Sequence, residues 1–237
     1  MGGGDSLPLM TYDLYIGDRL FSSWSLRGWL MFDRFGIAYR THLVGLYSGT
    51  MAQEMAAVAP ARLVPAVRTP EGTVVGESLA IAETLAERHP EAGHWPADPA
   101  LRATARWLSA EMASGFRALR AACPMQLLYC HVGFEPAPEV RADLARIETL
   151  WSHARKLSGS GSSWLFGDYC VADAFYTPVA ARIVGYDLPV SPGARAYCDA
   201  LLGDASMRRW REQALGVTYD PFPYALDLPN RPWPDYG

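Results

Sequence analysis

The chain has 237 residues, 50% of them hydrophobic and 12% aromatic, which is enough to bury a large core in one or two domains. Its formal net charge is -4, and no basic run interleaved with aromatic residues suggests nucleic acid. No apolar run approaches the roughly 18 residues that cross a bilayer. We therefore expect neither a nucleic-acid partner nor a membrane partner.

Cysteine and histidine usage argues against a disulfide scaffold and a metal centre. The four cysteines form no C-x-x-C pair, and the five histidines show no ligand spacing. The first residues lack the basic and apolar regions of a signal peptide. We also expect residues 1–11 to be disordered. A cytoplasmic protein with four reduced thiols and no metal is the resulting expectation.

The first half of the chain alternates strand and helix patterns. A strand is predicted over 12–17, a helix over 23–35 that Gly36 ends, and a second strand over 39–44. A β-helix-β order favours a parallel pair of strands.

The pattern continues with a short helix and a hairpin. The helix covers 53–58, and strands at 63–68 and 73–76 flank a turn at 70–72. A helix follows from 77 to 89, where Pro90 ends it. Residues 12–90 are thus predicted to form one α/β domain.

Proline and glycine between 91 and 98 predict a linker, and the second half shows almost no strand pattern. We expect an all-helical domain over 99–215, in which a Ser/Gly loop covers 158–163. Its helices are predicted at 99–122, 138–157, 171–184, 193–202 and 204–215. Residues 216–237 contain five prolines and are predicted to be an irregular tail.

The serines in Phe21-Ser22-Ser23-Trp24-Ser25-Leu26-Arg27 fall where the first strand gives way to a helix. Serine at this place is most often only a helix cap. The same place attracts anions through free N–H groups and the helix dipole, and a thiolate is one such anion.

Two further segments have both a structural and a functional interpretation. Val64-Pro65 opens a strand, where a trans proline is the ordinary expectation; a cis bond would aim the Val64 backbone at a peptide-like ligand. Glu77-Ser78 precedes a helix, where it is either a cap or a grip on an amino acid head group.

Two patterns in the second half favour structure over chemistry. Asp173 lies three residues after Cys170, which is the spacing of a capping box. Met112 and Phe116 form a stripe at i,i+4, and such stripes are more often core than pocket. With Arg120, and with Tyr176 and Arg182 on a later helix, they are the candidates for a second-substrate pocket.

Taken in order, these residues resemble the glutathione transferase superfamily over about 12–215. Ser22-Ser23-Trp24-Ser25-Leu26-Arg27 is similar to the serine-type motif S-S-x-S-x-R of a bacterial group related to the zeta class. Val64-Pro65 matches the family's cis-proline, and Glu77-Ser78 matches its γ-glutamyl-binding pair. The run 164–174 resembles the family's sixth helix, except that Cys170 replaces the capping serine or threonine.

The resemblance implies a thioredoxin-like domain followed by a helical bundle, a homodimer, and glutathione as co-substrate. It implies that Ser22 or Ser23 lies by the sulfur. The residues it implies for glutathione binding are Trp24, Arg62, Leu63, Val64, Pro65, Glu77 and Ser78. Because a thiol accepts hydrogen bonds poorly, we expect the helix after Cys170 to begin less firmly, by up to roughly 1 kcal/mol.

Thiolate activation by serine is energetically adequate. Lowering a thiol pKa by two units takes about 2.7 kcal/mol, and a hydrogen bond to a charged acceptor contributes roughly 1.5–3 kcal/mol. We expect Ser22 to be the donor, with Ser23 as the alternative. Arg27 is expected to form an ion pair or to bond backbone, with a minor role.

Three functions remain open from the sequence. The first is a transferase that adds glutathione to small electrophiles. The second is a zeta-like isomerase of a cis dicarboxylic acid, for which Arg120 and Arg182 would face the substrate. The third is a glutathione-binding module without turnover, although such modules tend to lose the activating hydroxyl.

Overall fold

The structure is a computed structural model that describes residues 11–216 and 226–236. Its N-terminal domain is one mixed sheet with helices. The strands are β1 (Tyr12–Ile16), β2 (Tyr39–Leu43), β3 (Ala66–Arg68) and β4 (Val74–Gly76). The helices are α1 (Ser23–Asp33), α2 (Met51–Glu54), which a 3₁₀ turn (Met55–Val58) extends, and α3 (Ser78–Arg88).

The strand order is β2-β1-β3-β4, and the predicted pairings are confirmed. β1 pairs with β2 in parallel through α1, whereas β3 and β4 form the antiparallel hairpin beside β1. β3 is shorter than the predicted 63–68, because it begins only after Pro65, which has no N–H to donate to a ladder. The expected thioredoxin-like domain is therefore present.

The C-terminal domain is helical, as predicted. Its helices are α4 (Pro99–Ser114), α5 (Arg117–Ala122), α6 (Pro138–Ser158), α7 (Val171–Gly185), α8 (Pro192–Gly203) and α9 (Ala205–Ala214). The single helix predicted over 99–122 is wrong, since it breaks between α4 and α5. Gly115 leaves the helical region there, and Phe116 turns the chain with a positive φ of 53°.

The two domains pack through α1. α1 contacts α7 and α9, and the Trp29 and Trp210 rings lie 5.3 Å apart across this contact. The carboxylate of Asp204 accepts from Arg34 at 2.9 Å. One apolar core therefore runs from the sheet through α1 into α7, which holds the N-terminus of α1 at a fixed place against the second domain.

A second, two-stranded sheet was not predicted. β5 (Tyr129–His131) pairs antiparallel with β6 (Asn230–Pro232), so part of the tail that was expected to be irregular is a strand. Trp233 follows it and is buried against Gly185 of α7. The remaining predictions for the termini fall on residues 1–10, 217–225 and 237, which lie outside the described residues.

Candidate functional site

A cleft of about 630 Å³ opens between the two domains at the N-terminus of α1. Its wall combines the start of α1, the loop after β2 and the break between α4 and α5. The lining residues are Phe21, Ser22, Ser23, Trp24, Leu46, Ala113, Ser114, Arg117, Arg120, Ala121, Pro124, Met125 and Arg182. Both predicted serines and two of the predicted arginines thus meet in one cavity.

Ser22 is the N-cap of α1, and its hydroxyl is already engaged. Its Oγ donates to Ser25 Oγ at 2.8 Å and accepts weakly from the Ser25 N–H at 3.4 Å. Ser25 Oγ also accepts from the Gly17 N–H at 2.8 Å, which ties the end of β1 to the first turn of α1. The structural interpretation of Ser22 as a cap therefore holds.

Ser23 is the first residue of α1, is 6% exposed and has a different set of contacts. Its Oγ accepts from Arg182 Nη2 at 3.5 Å, which joins the first domain to α7. Within the described part of the chain, the Ser23 hydroxyl donates no hydrogen bond. Its proton is thus available to a bound anion, and a cation that donates to the oxygen strengthens the hydroxyl as a donor.

Among the described residues that line the cleft, the charged ones are all arginines. Arg120 donates to the Ala113 and Gly115 carbonyls at 3.3 and 3.2 Å, which caps the broken end of α4. Arg182 donates to the Cys123 and Pro178 carbonyls at 2.9 and 3.0 Å.

Arg117 differs from the other two arginines of the wall. It is exposed, and over residues 11–216 and 226–236 its guanidinium forms neither a hydrogen bond nor an ion pair. The sequence pattern did not single out Arg117. An exposed arginine on a short helix carries no local signal, and only the break before α5 brings it to the cleft.

Trp24 lines the cleft, and its ring contacts the guanidinium groups of two arginines. The guanidinium carbon of Arg120 lies 4.1 Å from the Trp24 ring centroid, and that of Arg27 lies 4.9 Å from it. Arg27 is 2% exposed, and its Nε and Nη1 donate to no described residue. The expectation that Arg27 forms an ion pair or bonds backbone through these nitrogens is therefore wrong.

Val64-Pro65 is a cis peptide, as the resemblance implied, and a second cis bond joins Ala59 and Pro60. Pro65 packs directly on α1 at Gly28, where an added Cβ would lie only 2.6 Å from Pro65 Cβ. Glycine at that position therefore allows the Val64 backbone to lie close to α1, outside the ladder that begins at Ala66.

Glu77 and Ser78 form the start of α3. Glu77 has a φ of 72°, an unusual conformation for a residue other than glycine, and its carboxylate accepts from the Leu79 N–H at 2.9 Å. Ser78 Oγ donates to the same carboxylate at 3.1 Å. The pair is a helix cap whose carboxylate end is exposed, so both interpretations of the sequence are compatible with it.

The other predicted binding residues lie at different places. Arg62 and Leu63 are exposed in the segment before Val64, and Leu63 shows 73% of its surface. By contrast, Met112, Phe116 and Tyr176 lie in the core and not on the cleft wall. Tyr176 donates to the Leu108 carbonyl at 3.4 Å, which faces it into the helical domain. The prediction that these three residues line a substrate pocket is therefore corrected. The Met112 and Phe116 stripe packs into the core, and Tyr176 is buried in the helical domain.

The predicted capping box at α7 is present. The Asp173 carboxylate accepts from the Cys170 N–H at 2.9 Å, and also from the Leu165 N–H at 3.2 Å and the Tyr197 hydroxyl at 2.8 Å. These three donors anchor the start of α7, whose later turns carry Arg182 to Ser23.

Among the described residues no cluster suits a metal ion, and no helix is long and apolar enough to cross a membrane.

Residues 21–88 match the family described as glutathione S-transferase, N-terminal domain. Among curated proteins, a probable maleylacetoacetate isomerase of Caenorhabditis elegans is 37% identical over 115 residues, which cover 48% of this chain. This chain spans about half of that relative, 52% of its length.

Solved structures show the same fold over most of the chain. A glutathione transferase homologue from Burkholderia BGR1, crystallised with bound glutathione, is 25% identical with a TM-score of 0.64, over 88% of this chain and all of that one. Glutathione transferase Omega 2S from Trametes versicolor is 21% identical with a TM-score of 0.66, over 87% of this chain and 96% of that one.

Proposed function

We propose that this protein, whose N-terminal domain belongs to the glutathione transferase superfamily, binds glutathione and uses its thiolate to attack a small electrophile in the interdomain cleft. The observation that carries the proposal is the pair Ser22 and Ser23 at the N-terminus of α1, which opens onto a cleft whose charged residues are arginines. Hydroxyl donors, a helix N-terminus and cations all stabilise an anion at that place.

Glutathione would lie along the first domain. Its ammonium group would pair with the exposed Glu77 carboxylate, and its glutamyl carboxylate would meet Ser78 and the N–H groups of α3. Its cysteine backbone would pair with Val64, which the cis bond and the close contact of Pro65 with Gly28 bring next to α1. Arg62, Leu63 and Trp24 would flank the peptide.

The hydrogen bonds favour Ser23 over Ser22 as the donor to the thiolate. Ser22 would first have to give up its hydrogen bond to Ser25, whereas the Ser23 proton is committed to no described residue. Arg182 donates to Ser23 Oγ and adds positive charge nearby. We therefore assign the activating role to Ser23 and the capping role to Ser22.

The reaction needs no general base. Enzyme-bound glutathione loses its thiol proton to water, because the site lowers the thiol pKa. The sulfur then forms a bond to the electrophilic carbon, and the leaving group departs with its electron pair. With 1-chloro-2,4-dinitrobenzene the products are the thioether and chloride.

Turnover with this compound tests the proposal directly. We expect glutathione-dependent formation of the conjugate, with retention of the protein on immobilised glutathione. Retention without conjugation would indicate a binding module, and absence of both would contradict the proposal.

The second candidate is a glutathione-dependent cis–trans isomerase. The 37% identity to a probable maleylacetoacetate isomerase and the arginine-lined cleft favour it. The thiolate would add to a cis double bond, the resulting single bond would rotate, and elimination would return the trans double bond and the thiolate. Glutathione-dependent loss of the absorbance of maleylpyruvate or maleylacetoacetate distinguishes it from the transferase. Either enzyme would act as a homodimer, which light scattering tests.

A further inference from the structure

Arg27 is a buried cation about one helical turn along α1 from Ser23, the proposed donor to the sulfur. It lies on α1 four residues after Ser23 and packs on the rings of Trp24 and Phe175, at 4.9 and 4.8 Å from its guanidinium carbon. Two of its three nitrogens make no hydrogen bond within the described ranges. A buried charge without hydrogen-bond partners is costly, so packing alone would be served better by an apolar side chain.

The charges around Arg27 belong to both ends of the proposed site. Glu77 on the head-group side raises the pKa of Arg27, whereas Arg120 and Arg182 on the cleft side lower it. Burial is the largest influence and lowers the pKa to about 9, so the guanidinium still carries its charge at pH 7. Arg27 is thus positively charged at pH 7 and interacts electrostatically with Glu77 and with Arg120 and Arg182 of the cleft wall.

We propose that Arg27 is a positioning residue for thiolate formation: its buried charge stabilises the sulfur anion at Ser23 without touching it, and its contact with Trp24 holds the cleft wall. The inference rests on the proposed function. In the interior a charge is screened far less than in water, so an unpaired guanidinium acts on a nearby anion over a longer distance than a surface one.

Arg27 would add to the stabilisation of the thiolate that the Ser23 hydrogen bond provides. When the glutathione ammonium pairs with Glu77, the carboxylate that raises the pKa of Arg27 is neutralised, and the charge of Arg27 then acts more strongly on the thiolate. Recognition of the head group and ionisation of the thiol would then reinforce each other.

The pKa of enzyme-bound glutathione, measured by thiolate ultraviolet absorbance against pH, tests the role of charge. We expect Arg27→Met to raise this pKa by about one unit, a tenfold loss of thiolate below the pKa. Arg27→Lys keeps the charge and should retain most of the lowering. Glutathione affinity at a pH well below the thiol pKa should change less than about threefold, since Arg27 is buried and does not line the cleft.

Arg19→Met is the matched control. Arg19 is half-buried, has an unpartnered Nε, and packs 5.5 Å from the Trp210 ring centroid, whereas Arg27 packs on Trp24 of the cleft wall. Its substitution should leave the bound thiol pKa within about 0.3 unit of the wild type. If Arg27→Met does not fold, Arg27→Gln removes the charge while it keeps hydrogen-bond donors.

The outcomes separate this inference from the proposed function. If glutathione does not bind to the wild type, or if the bound thiol keeps the pKa of free glutathione, the proposed function is contradicted. A lowered pKa in the wild type that stays unchanged in folded Arg27→Met or Arg27→Gln overturns the role of Arg27 alone. Equal pKa increases in Arg27→Met and Arg27→Lys would show that packing, and not charge, is what Arg27 supplies.

Discussion

The Ser22 hydroxyl donates its proton to Ser25 Oγ at 2.8 Å, while Ser25 Oγ also accepts from the Gly17 N–H. One serine of the motif is thus engaged in joining β1 to α1. Its neighbour Ser23, which accepts from Arg182 of the second domain, keeps its own proton for a ligand. The two adjacent hydroxyls therefore have different tasks, and substitutions should separate them.

Ser22→Ala should destabilise the protein more than it alters catalysis. Loss of the N-cap and of the hydrogen bond to Ser25 should lower the free energy of unfolding by about 1 kcal/mol. Urea denaturation measures this change. Ser22→Asn, which also caps helices, should restore most of the stability. A fully stable Ser22→Ala variant with no detectable thiolate would reverse the assignment of the two serines.

Glu77→Gln should weaken glutathione binding about tenfold, since a charged hydrogen bond to the ammonium is worth roughly 1.5–3 kcal/mol. The glutamine oxygen can still accept from the Leu79 N–H, so the start of α3 should be preserved. Calorimetric titration with S-methylglutathione measures the affinity. Glu71→Gln removes another exposed acid and should have no effect. Equal affinities in wild type and Glu77→Gln would show that the glutathione head group does not bind at Glu77.

Arg117 should select electrophiles that carry a carboxylate. Arg120 and Arg182 are committed to backbone carbonyls, whereas Arg117 has no partner in the structure as described. We expect Arg117→Met to lower kcat/KM about tenfold for 4-chloro-3-nitrobenzoate and less than threefold for its methyl ester, because a charged hydrogen bond of roughly 1.5 kcal/mol is lost only with the acid.

Two further variants control this comparison. Arg117→Lys should recover part of the activity with the acid, and Arg208→Met, an exposed arginine of α9 away from the cleft, should affect neither compound. If Arg117→Met lowered kcat/KM equally for the acid and for the ester, the variant would have a general defect of the cleft, and Arg117 would not recognise the charge.

Acid should destabilise the protein through His94. This side chain is 1% exposed, stacks on Phe35 with 4.1 Å between ring centroids, and its Nε2 donates to the Met31 carbonyl at 3.0 Å. Burial lowers the pKa of His94, so the folded protein resists a proton that the unfolded chain accepts below about 6.5.

The stability that neutral His94 contributes is therefore complete above that pH and declines as the pH falls below it. The slope approaches about 1.4 kcal/mol per pH unit for one such group. His94→Gln should be less stable at pH 7 but should lose less between pH 7 and 5.5 in urea denaturation. Identical slopes in the two proteins would remove His94 as the cause.

The first domain was largely predictable because its determinants are local. Alternating apolar and polar residues predicted the strands, and Gly36 and Pro90 predicted the ends of two helices. The β-helix-β order predicted that β1 and β2 are parallel. The break at Gly115-Phe116 was missed, since the apolar spacing continues through it. β5 and β6 were missed because their pairing joins residues about 100 positions apart.

The site was predictable where motifs carry it and not where packing decides. The serines and the acid at α3 were singled out from short patterns, whereas the local pattern at Val64-Pro65 favoured a trans bond and only the resemblance implied the cis one. Arg117 reaches the cleft only through the helix break, and the unpartnered state of Arg27 depends on Trp24 and Phe175 from two different helices. No spacing rule reports whether an arginine has found a hydrogen-bond acceptor.

The pKa of the glutathione thiol bound to wild type, Ser23→Ala and Ser22→Ala tests the account most directly. It predicts a pKa well below the free thiol value of about 8.5 in the wild type. That value should rise by about one to two units in Ser23→Ala, since one charged hydrogen bond is lost, and by less in Ser22→Ala. A bound thiol that titrates near 8.5 in all three proteins would contradict the claim that this helix terminus stabilises a thiolate.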